Sequence, residues 1–407
     1  VEKVLMRLAI ITDDYLPHST LVHAKMLHEL ALTLVRSGHD PIIITPGSPT
    51  QGKRLVIDTV EGISVWRFRN GRTRGVSKIR RALNETLLSF NAWRAIRRQV
   101  EGASFDGVIY YSPSIFFGLL AKKIKSQSRC LSYLILRDLF PQWAIDENLI
   151  KQGSLIEKYF RFFEMLNYTS ADKIGLMSPK NLELFDKTHK NRFDTHVLFN
   201  WADTARPELQ PEKLNLRDRL GLERKIIFFY GGNIGHAQDM ANLMKLAISL
   251  QGYHDIHFLF IGQGDEVDLV KSTIKRESLG NTTFLPSVSQ DEFKHILRQV
   301  DIGLFSLAYS HQTHNFPGKL LGYMVESVPI LGSVNPGNDL LEVVSNAGAG
   351  YVFINGEDDK LRNAAIALAT DENLRRKLGA GANDLLNHSF SVDSAAGVIV
   401  ENLAYKS

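Results

Sequence analysis

The chain has one cysteine, Cys130, among its 407 residues. That excludes an internal disulfide and any metal site built on several thiolates, and it fits a reducing compartment. No run of 18 or more apolar residues is present, so no segment reads as a membrane span. The opening residues pass into the apolar stretch Leu8-Ala9-Ile10-Ile11 without a secretory pattern, and a cytoplasmic location is expected. The sequence lacks His-Glu-x-x-His and Gly-x-Ser-x-Gly, which argues against zinc hydrolases and serine esterases. It also lacks a clustered acidic motif for Mg²⁺, so no metal ligands are assigned and metal-independent chemistry is expected.

What the chain does have is ordinary globular composition: 44% hydrophobic and 23% charged residues. Its length suits two or three domains of about 150 residues. The net charge of +4 is unevenly placed. Residues 1–200 carry 29 Lys and Arg against 19 Asp and Glu, a balance of +10, and the remainder carries −6. Much of the excess lies between Arg67 and Arg98, where Arg72, Arg74, Lys78, Arg80, Arg81, Arg94 and Arg97 are opposed by Glu85 alone. Leu83, Leu87, Leu88, Phe90, Trp93 and Ile96 are interleaved with these cations. Such a segment reads as a surface for anionic partners, here an anionic membrane rather than nucleic acid. A solvated helix packed by its apolar face accounts for it equally well.

Strands alternate with helices along the chain. Leu8–Thr12, Pro41–Thr45, Val108–Tyr111, Cys130–Leu136 and Ile174–Met177 read as strands, with a helix after the first that stops near Gly38. The pattern restarts beyond a polar, proline-bearing linker, 203–210. Strands are expected at Ile226–Tyr230, His257–Ile261, Thr283–Leu285, Ile302–Phe305, Pro329–Leu331 and Gly350–Phe353, with helices at Met240–Leu250 and Val267–Lys275. This predicts an α/β protein of two doubly wound domains, 1–199 and 200–391. Ligands in such folds sit beyond the carboxyl ends of the strands, and two domains in tandem predict a cleft between them.

The stretch Asn315-Phe316-Pro317-Gly318-Lys319 joins a predicted strand to a predicted helix. Glycine lets a backbone approach an anion, and lysine adds a point charge. A plain strand–helix turn explains it as well. Gly231-Gly232-Asn233-Ile234-Gly235 with Gln238, and Gly262-Gln263-Gly264, close two further strands at the same expected edge. The first lacks both the dinucleotide spacing and the Walker lysine-serine ending. Asn335-Pro336-Gly337-Asn338-Asp339, after the Pro329–Leu331 strand, lies beside the Lys319 loop or is an ordinary β-turn, and Asp339 and Glu342 could bind sugar hydroxyls or cap the next helix. In the first half, Arg137-Asp138 ends a strand, as a site pair or a structural ion pair. Asp14, His18 and Ser19 follow the first strand, in a pocket wall or in a loop with an N-cap at Ser19 or Thr20.

Taken together these segments resemble a GT-B glycosyltransferase of the retaining family four. Ala171-Asp172-Lys173-Ile174, Phe199-Asn200-Trp201-Ala202-Asp203 and Gly322-Tyr323-Met324 with Pro329 add to the match, which covers nearly the whole chain. Arg137–Trp143, Gly232–Gly235 with Gln238, and Phe316–Lys319 look similar to bacterial transferases of O-antigen and capsule assembly, including N-acetyl-L-fucosamine transferases. The resemblance implies two Rossmann-like domains facing across a cleft, with a C-terminal helix, about 392–404, crossing back onto the first domain.

The resemblance further implies that the second domain binds a UDP-sugar through Gly232, Asn233, Gly235, Gln238, Gly262, Gly264, Ser287, Val288, Phe316, Pro317, Gly318, Lys319, Asn338 and Asp339. The first domain would bind an undecaprenyl-diphosphate-linked saccharide through Asp14, His18, Ser19, Tyr111 and Arg137. Lys319, Arg137 and Asp138 would serve catalysis, and the protein would sit on the inner face of the cytoplasmic membrane. The chain also departs from the family. His314 and Gly322 stand where it has two glutamates, Asn233 where it has an arginine, and Arg137-Asp138 where it has His-Asp. A nucleotide-sugar 2-epimerase, or a non-catalytic nucleotide-sugar-binding protein at the membrane, are the alternatives.

Overall fold

The computed structural model describes residues 5–17, 19, 21–112, 114–146, 149–204, 215–310 and 316–404. The chain forms two compact units: 1–199 joined by 392–407, and 200–391.

The first unit has strands β1 (Arg7–Ile11), β2 (Asp40–Gly47), β3 (Leu55–Val60), β4 (Ile63–Arg69), β5 (Gly107–Ser112), β6 (Leu131–Leu136), β7 (Lys173–Leu176) and β8 (Thr195–Val197). They form one sheet in the order β3-β4-β2-β1-β5-β6-β7-β8. All neighbours run parallel except the β3–β4 hairpin. β1, β5 and β6 are almost wholly buried, as strands covered on both faces by helices must be. The helix Val392–Ala404 packs on the helix Val22–Arg36 of this unit, and Leu403 sits over Gly107.

The hairpin was not expected from the sequence. Its turn residues, Glu61 and Gly62, both take positive φ, 48° and 84°, the requirement of a two-residue I′ turn. Asn or Asp before the glycine would have signalled it; glutamate does not. The hairpin also changes the meaning of the basic segment. Arg67 lies on β4, where it pairs with Asp58 at 3.0 Å and donates to the Leu16 carbonyl, so it is not part of a basic helix. The short edge strand β8 also escaped the sequence pattern.

The second unit holds β9 (Ile226–Asn233), β10 (Ile256–Gln263), β11 (Thr282–Pro286), β12 (Ile302–Ser306), β13 (Ile330–Val334) and β14 (Gly350–Ile354). This all-parallel sheet has the order β11-β10-β9-β12-β13-β14. The order reverses between β9 and β12, the point where doubly wound sheets open a crevice. In the first unit it reverses between β1 and β5.

Candidate functional site

In the second unit the β9–β12 ladder pairs only Ile302 with Phe228 and Gly303 with Phe229. Beyond these pairs the strands part, leaving carbonyls without a ladder partner. Tyr323, fully buried on the helix Lys319–Val325, answers this: its hydroxyl donates to the carbonyls of Phe229 at 3.2 Å and Leu304 at 3.0 Å. Gly303 admits the ring, since a Cβ there would lie 2.4 Å from it. No sequence pattern assigns Tyr323 a role of its own; a tyrosine in an apolar helix is ordinary until the strands are seen to diverge.

Lys319 opens the same helix and fills the crevice from above. Part of the residue reaches solvent, but its Nζ is buried without a hydrogen-bond partner among the described residues, 3.3 Å from the centre of the Tyr230 ring. Burial drives the amine's pKa well below that of an ordinary lysine, because water is withdrawn from the charged form and no carboxylate replaces it. A cation–π contact with the ring offsets only part of that cost.

Around this amine the structure gathers several of the expected residues. Gly232, with φ 112°, passes beneath the Lys319 stem, and a Cβ there would stand 4.0 Å from Cε. Asn233 donates to Gln238 at 2.7 Å, so these two side chains hold each other across the turn. Gly262 pairs in register with Gly232, and a Cβ on it would fall 1.9 Å from the Gly232 carbonyl. Gly264 would meet the Ile234 carbonyl at 2.1 Å, and Gly235 is enclosed by Asn233 and Asp265. These glycines allow the β9 and β10 turns to touch. Ser287, after β11, donates to Gln263 at 3.2 Å, beside half-buried Val288.

Other expected residues are engaged differently. Phe316 stacks within 4.4 Å of Phe390 and is buried packing, next to half-buried Pro317. Gly318 precedes a helix of seven residues, and the Leu320 and Leu321 amides are already spent on the carbonyls of Pro317 and Gly318. The helix start therefore offers fewer free donors than the sequence suggested. Asn338 is buried, donating to Asn335 at 2.9 Å and accepting from the Leu340 amide at 3.0 Å. It closes the turn before the helix Leu340–Asn346, with Asp339 half-buried beside it. A Cβ at Gly322 would point at Leu297, 3.0 Å away. His314 lies outside the described residues.

In the first unit Arg137 does not pair with Asp138. Its guanidinium is buried and donates to the carbonyls of Leu198 and Phe199. Burial lowers its pKa to about 10, against the opposing pull of Tyr111 and Tyr133. Arginine's fork suits two carbonyls at a strand end, which gives these contacts a structural role. Asp138 sits at the solvent rim, crowded enough by protein that desolvation raises its pKa against the pull of His23.

Asp14 and Ser19 are spent on each other: the Ser19 hydroxyl donates to Asp14 at 3.0 Å, and Asp14 also accepts from the Tyr15 amide and Arg74. The N-cap of the following helix is Leu21, whose amide donates to the Ser19 hydroxyl at 3.2 Å. His18 lies outside the described residues. Tyr111 is buried, which raises its hydroxyl to about 12.

Asp13 and His23 were not among the expected site residues. Asp13 Oδ1 and His23 Nε2 are 3.2 Å apart, both buried, and neither is aligned for a hydrogen bond. The His23 ring stacks on Tyr111 with centroids 5.3 Å apart. Burial raises the Asp13 pKa, but His23 and Arg74 outweigh it and hold the carboxyl below the ordinary value. Nothing in the spacing from Asp13 to His23 signals the pair, because it forms across a strand end and a helix. Among the described residues no cluster of three or more His, Cys, Asp or Glu could hold a metal ion.

Comparison with known proteins agrees with this architecture. Residues 212–384 match the family model "Glycosyl transferases group 1". The chain is 24% identical over 223 residues to WbjE of Pseudomonas aeruginosa, named as a glycosyltransferase, covering 54% of each protein. It is 26% identical over 147 residues to WcaI of Escherichia coli, named as a glycosyl transferase of colanic acid biosynthesis, covering 33% of this chain and 36% of WcaI. The matches thus span about half or less of these curated relatives. Anabaena HepE, solved in complex with UDP-glucose, superposes with a TM-score of 0.62 at 14% identity, over 98% of this chain and 99% of HepE. The fold is therefore GT-B, and most of the second unit matches the group 1 glycosyl transferase model.

Replacing Lys319 tests the buried amine directly. Lys319→Met keeps the stem and removes the nitrogen, and is expected to stabilise the protein by about 1–3 kcal/mol near neutral pH. The unfolded chain binds the proton more readily than the folded one, so wild-type stability rises with pH toward the ordinary lysine value. In denaturant titrations the gap between the two proteins should narrow from about pH 7 to about pH 10. A constant or widening gap would show that the amine is not desolvated.

Proposed function

We propose that the chain is a retaining glycosyltransferase. It moves a sugar, of which N-acetyl-L-fucosamine is the leading candidate, from a UDP-linked donor to a polyprenyl-diphosphate-linked saccharide in O-antigen or capsule assembly. The observation that carries the reading is the buried Lys319 amine among glycine turns, inside the segment that matches the family model. The UDP-glucose complex of HepE supports a uridine nucleotide as donor carrier.

In the reaction the anomeric C–O bond breaks and its electron pair passes to the departing diphosphate. The acceptor hydroxyl forms the new bond on the same face and gives up its proton toward the leaving oxygen. Lys319 stabilises the developing anion where water is excluded. Gly232 leaves room for the phosphates, and Asn233 with Gln238 holds that turn. Transfer proceeds without a metal ion.

The protein works at an anionic membrane surface. Among the described residues no helix is long and apolar enough to cross a bilayer. The helix Lys78–Thr86 buries none of its residues and carries exposed Ile79 and Leu83 beside Lys78, Arg80 and Arg81. Leu88 and Ile96 of the next helix are core, whereas Leu87 and Phe90 are exposed, so the apolar set is divided between packing and surface.

The first test incubates the protein with a panel of UDP-sugars and a polyprenyl-diphosphate saccharide, in EDTA. Transfer is expected, with Lys319→Ala lowering kcat by roughly 100-fold. Product from a UDP-sugar without acceptor would support the epimerase instead, and binding without turnover on any acceptor would support a non-catalytic protein. The second test is flotation with anionic liposomes. Wild type should float at low salt, and the variant with Arg80, Arg81, Arg94, Arg97 and Arg98 changed to Gln should not. Equal flotation of both would return the segment to a solvated helix.

A further inference from the structure

The first unit contains a cavity of about 490 Å³ beyond the ends of β1, β2 and β6, which none of the residues expected to bind acceptor explains. Its wall is apolar and largely aromatic: Phe116, Phe140, Trp143, Leu149 and Phe160. Phe140 is clamped edge-on against Phe160, centroids 4.8 Å apart, with Trp143 at 5.9 Å. Trp143 and Leu149 remain 44% and 70% exposed. Large apolar side chains kept in water beside a concave surface mark a place where something apolar is received.

The opposite side carries cations. Arg74, Lys78 and Arg81 line the cavity. Arg81 is held by Glu85 at 2.8 Å, and Arg74 by Asp13 and Asp14 at 3.4 and 3.1 Å. Lys78 has no ion-pair partner among the described residues. Asp13 lines the sheet end, and its Oδ1, like the neighbouring His23 Nε2, lacks a hydrogen-bond partner. Three chemistries therefore follow one another along the cavity: an aliphatic and aromatic wall, a cationic flank, and the Asp13 carboxyl, able to meet a hydroxyl. A free sugar would not call for the aliphatic wall, and a free nucleotide would not call for its exposed Leu149.

We propose that this cavity seats the diphosphate and the first isoprene units of a polyprenyl-diphosphate-linked acceptor. Lys78 and Arg81 meet the phosphates, Phe140, Trp143 and Leu149 meet the isoprene units, and Asp13 receives the acceptor hydroxyl. The volume is that of an ordinary ligand pocket and too small for a long polyprenyl chain, so the remainder of the chain leaves past exposed Leu149. This rests on the transferase reading and adds to it the place and the chemistry of acceptor binding.

The experiment is calorimetry on the full chain with farnesyl diphosphate, below its micellar concentration, against inorganic pyrophosphate and farnesol. Farnesyl diphosphate is expected to bind at least tenfold more tightly than either. Leu149→Glu and Lys78→Glu should each weaken it at least tenfold while leaving UDP binding unchanged, which also reports that the variants fold. Equal affinity for pyrophosphate or for farnesol would overturn the proposal, as would unaltered farnesyl diphosphate binding by both variants. The two readings fail separately. UDP binding without farnesyl diphosphate binding removes this site alone. Farnesyl diphosphate binding without UDP binding keeps the site and removes the donor reading.

Discussion

A parallel sheet that stops pairing in its middle must do something with the backbone it exposes. In the second unit β9 and β12 share two residue pairs and then separate, and the features of that end follow from the gap. Tyr323 satisfies two of the freed carbonyls. Gly303 is a glycine because the Tyr323 ring occupies its side-chain space. Gly232 and Gly262 let two turns meet at van der Waals distance, and the remaining opening receives the Lys319 amine. Burying an unpaired amine is unfavourable, and a folded protein has no structural need of one where methionine would fit. Such a group makes sense where an anion enters, because the same exclusion of water that disfavours the lone cation strengthens its attraction to a phosphate.

The first unit handles charge in a different way. Arg137 directs Nη1 and Nη2 to the carbonyls after β8, and Asp14 and Ser19 bond to each other in the loop after β1. Asp13 Oδ1 and His23 Nε2 are among the buried polar atoms there that have no hydrogen-bond partner. This pair lies at the end of β1, next to the reversal of strand order, as Lys319 of the second unit lies beside β9. In both, the switch point places a group that the fold itself does not use.

Much of the architecture was legible in the sequence because buried parallel strands read as short, continuous apolar runs. Ile226–Tyr230 and Ile302–Phe305 stood out for that reason. The β3–β4 hairpin did not, because Glu61-Gly62 lacks the usual turn residue and because Arg67 and Arg69 make β4 look like the start of a basic helix. At the candidate site, glycines and lysine between strand and helix pointed to the sheet edge where the structure gathers them. The sequence could not tell which polar residues would be consumed internally. Arg137 and Asp138 are neighbours in the chain but point to different partners, and Asn338 looks the same as a ligand contact or as a turn-closing amide. Asp13 and His23 meet only through the packing of a helix start against a strand end, which no local pattern encodes.

We propose that Lys319, whose burial holds its pKa well below that of an ordinary lysine, receives the diphosphate of a nucleotide. Calorimetric titration with UDP in two buffers of different ionisation enthalpy measures it most directly, because the difference in observed heat counts the protons exchanged on binding. Net proton uptake by wild type, abolished in Lys319→Met, is the predicted result. UDP binding with the same proton count and the same affinity in both proteins would contradict it.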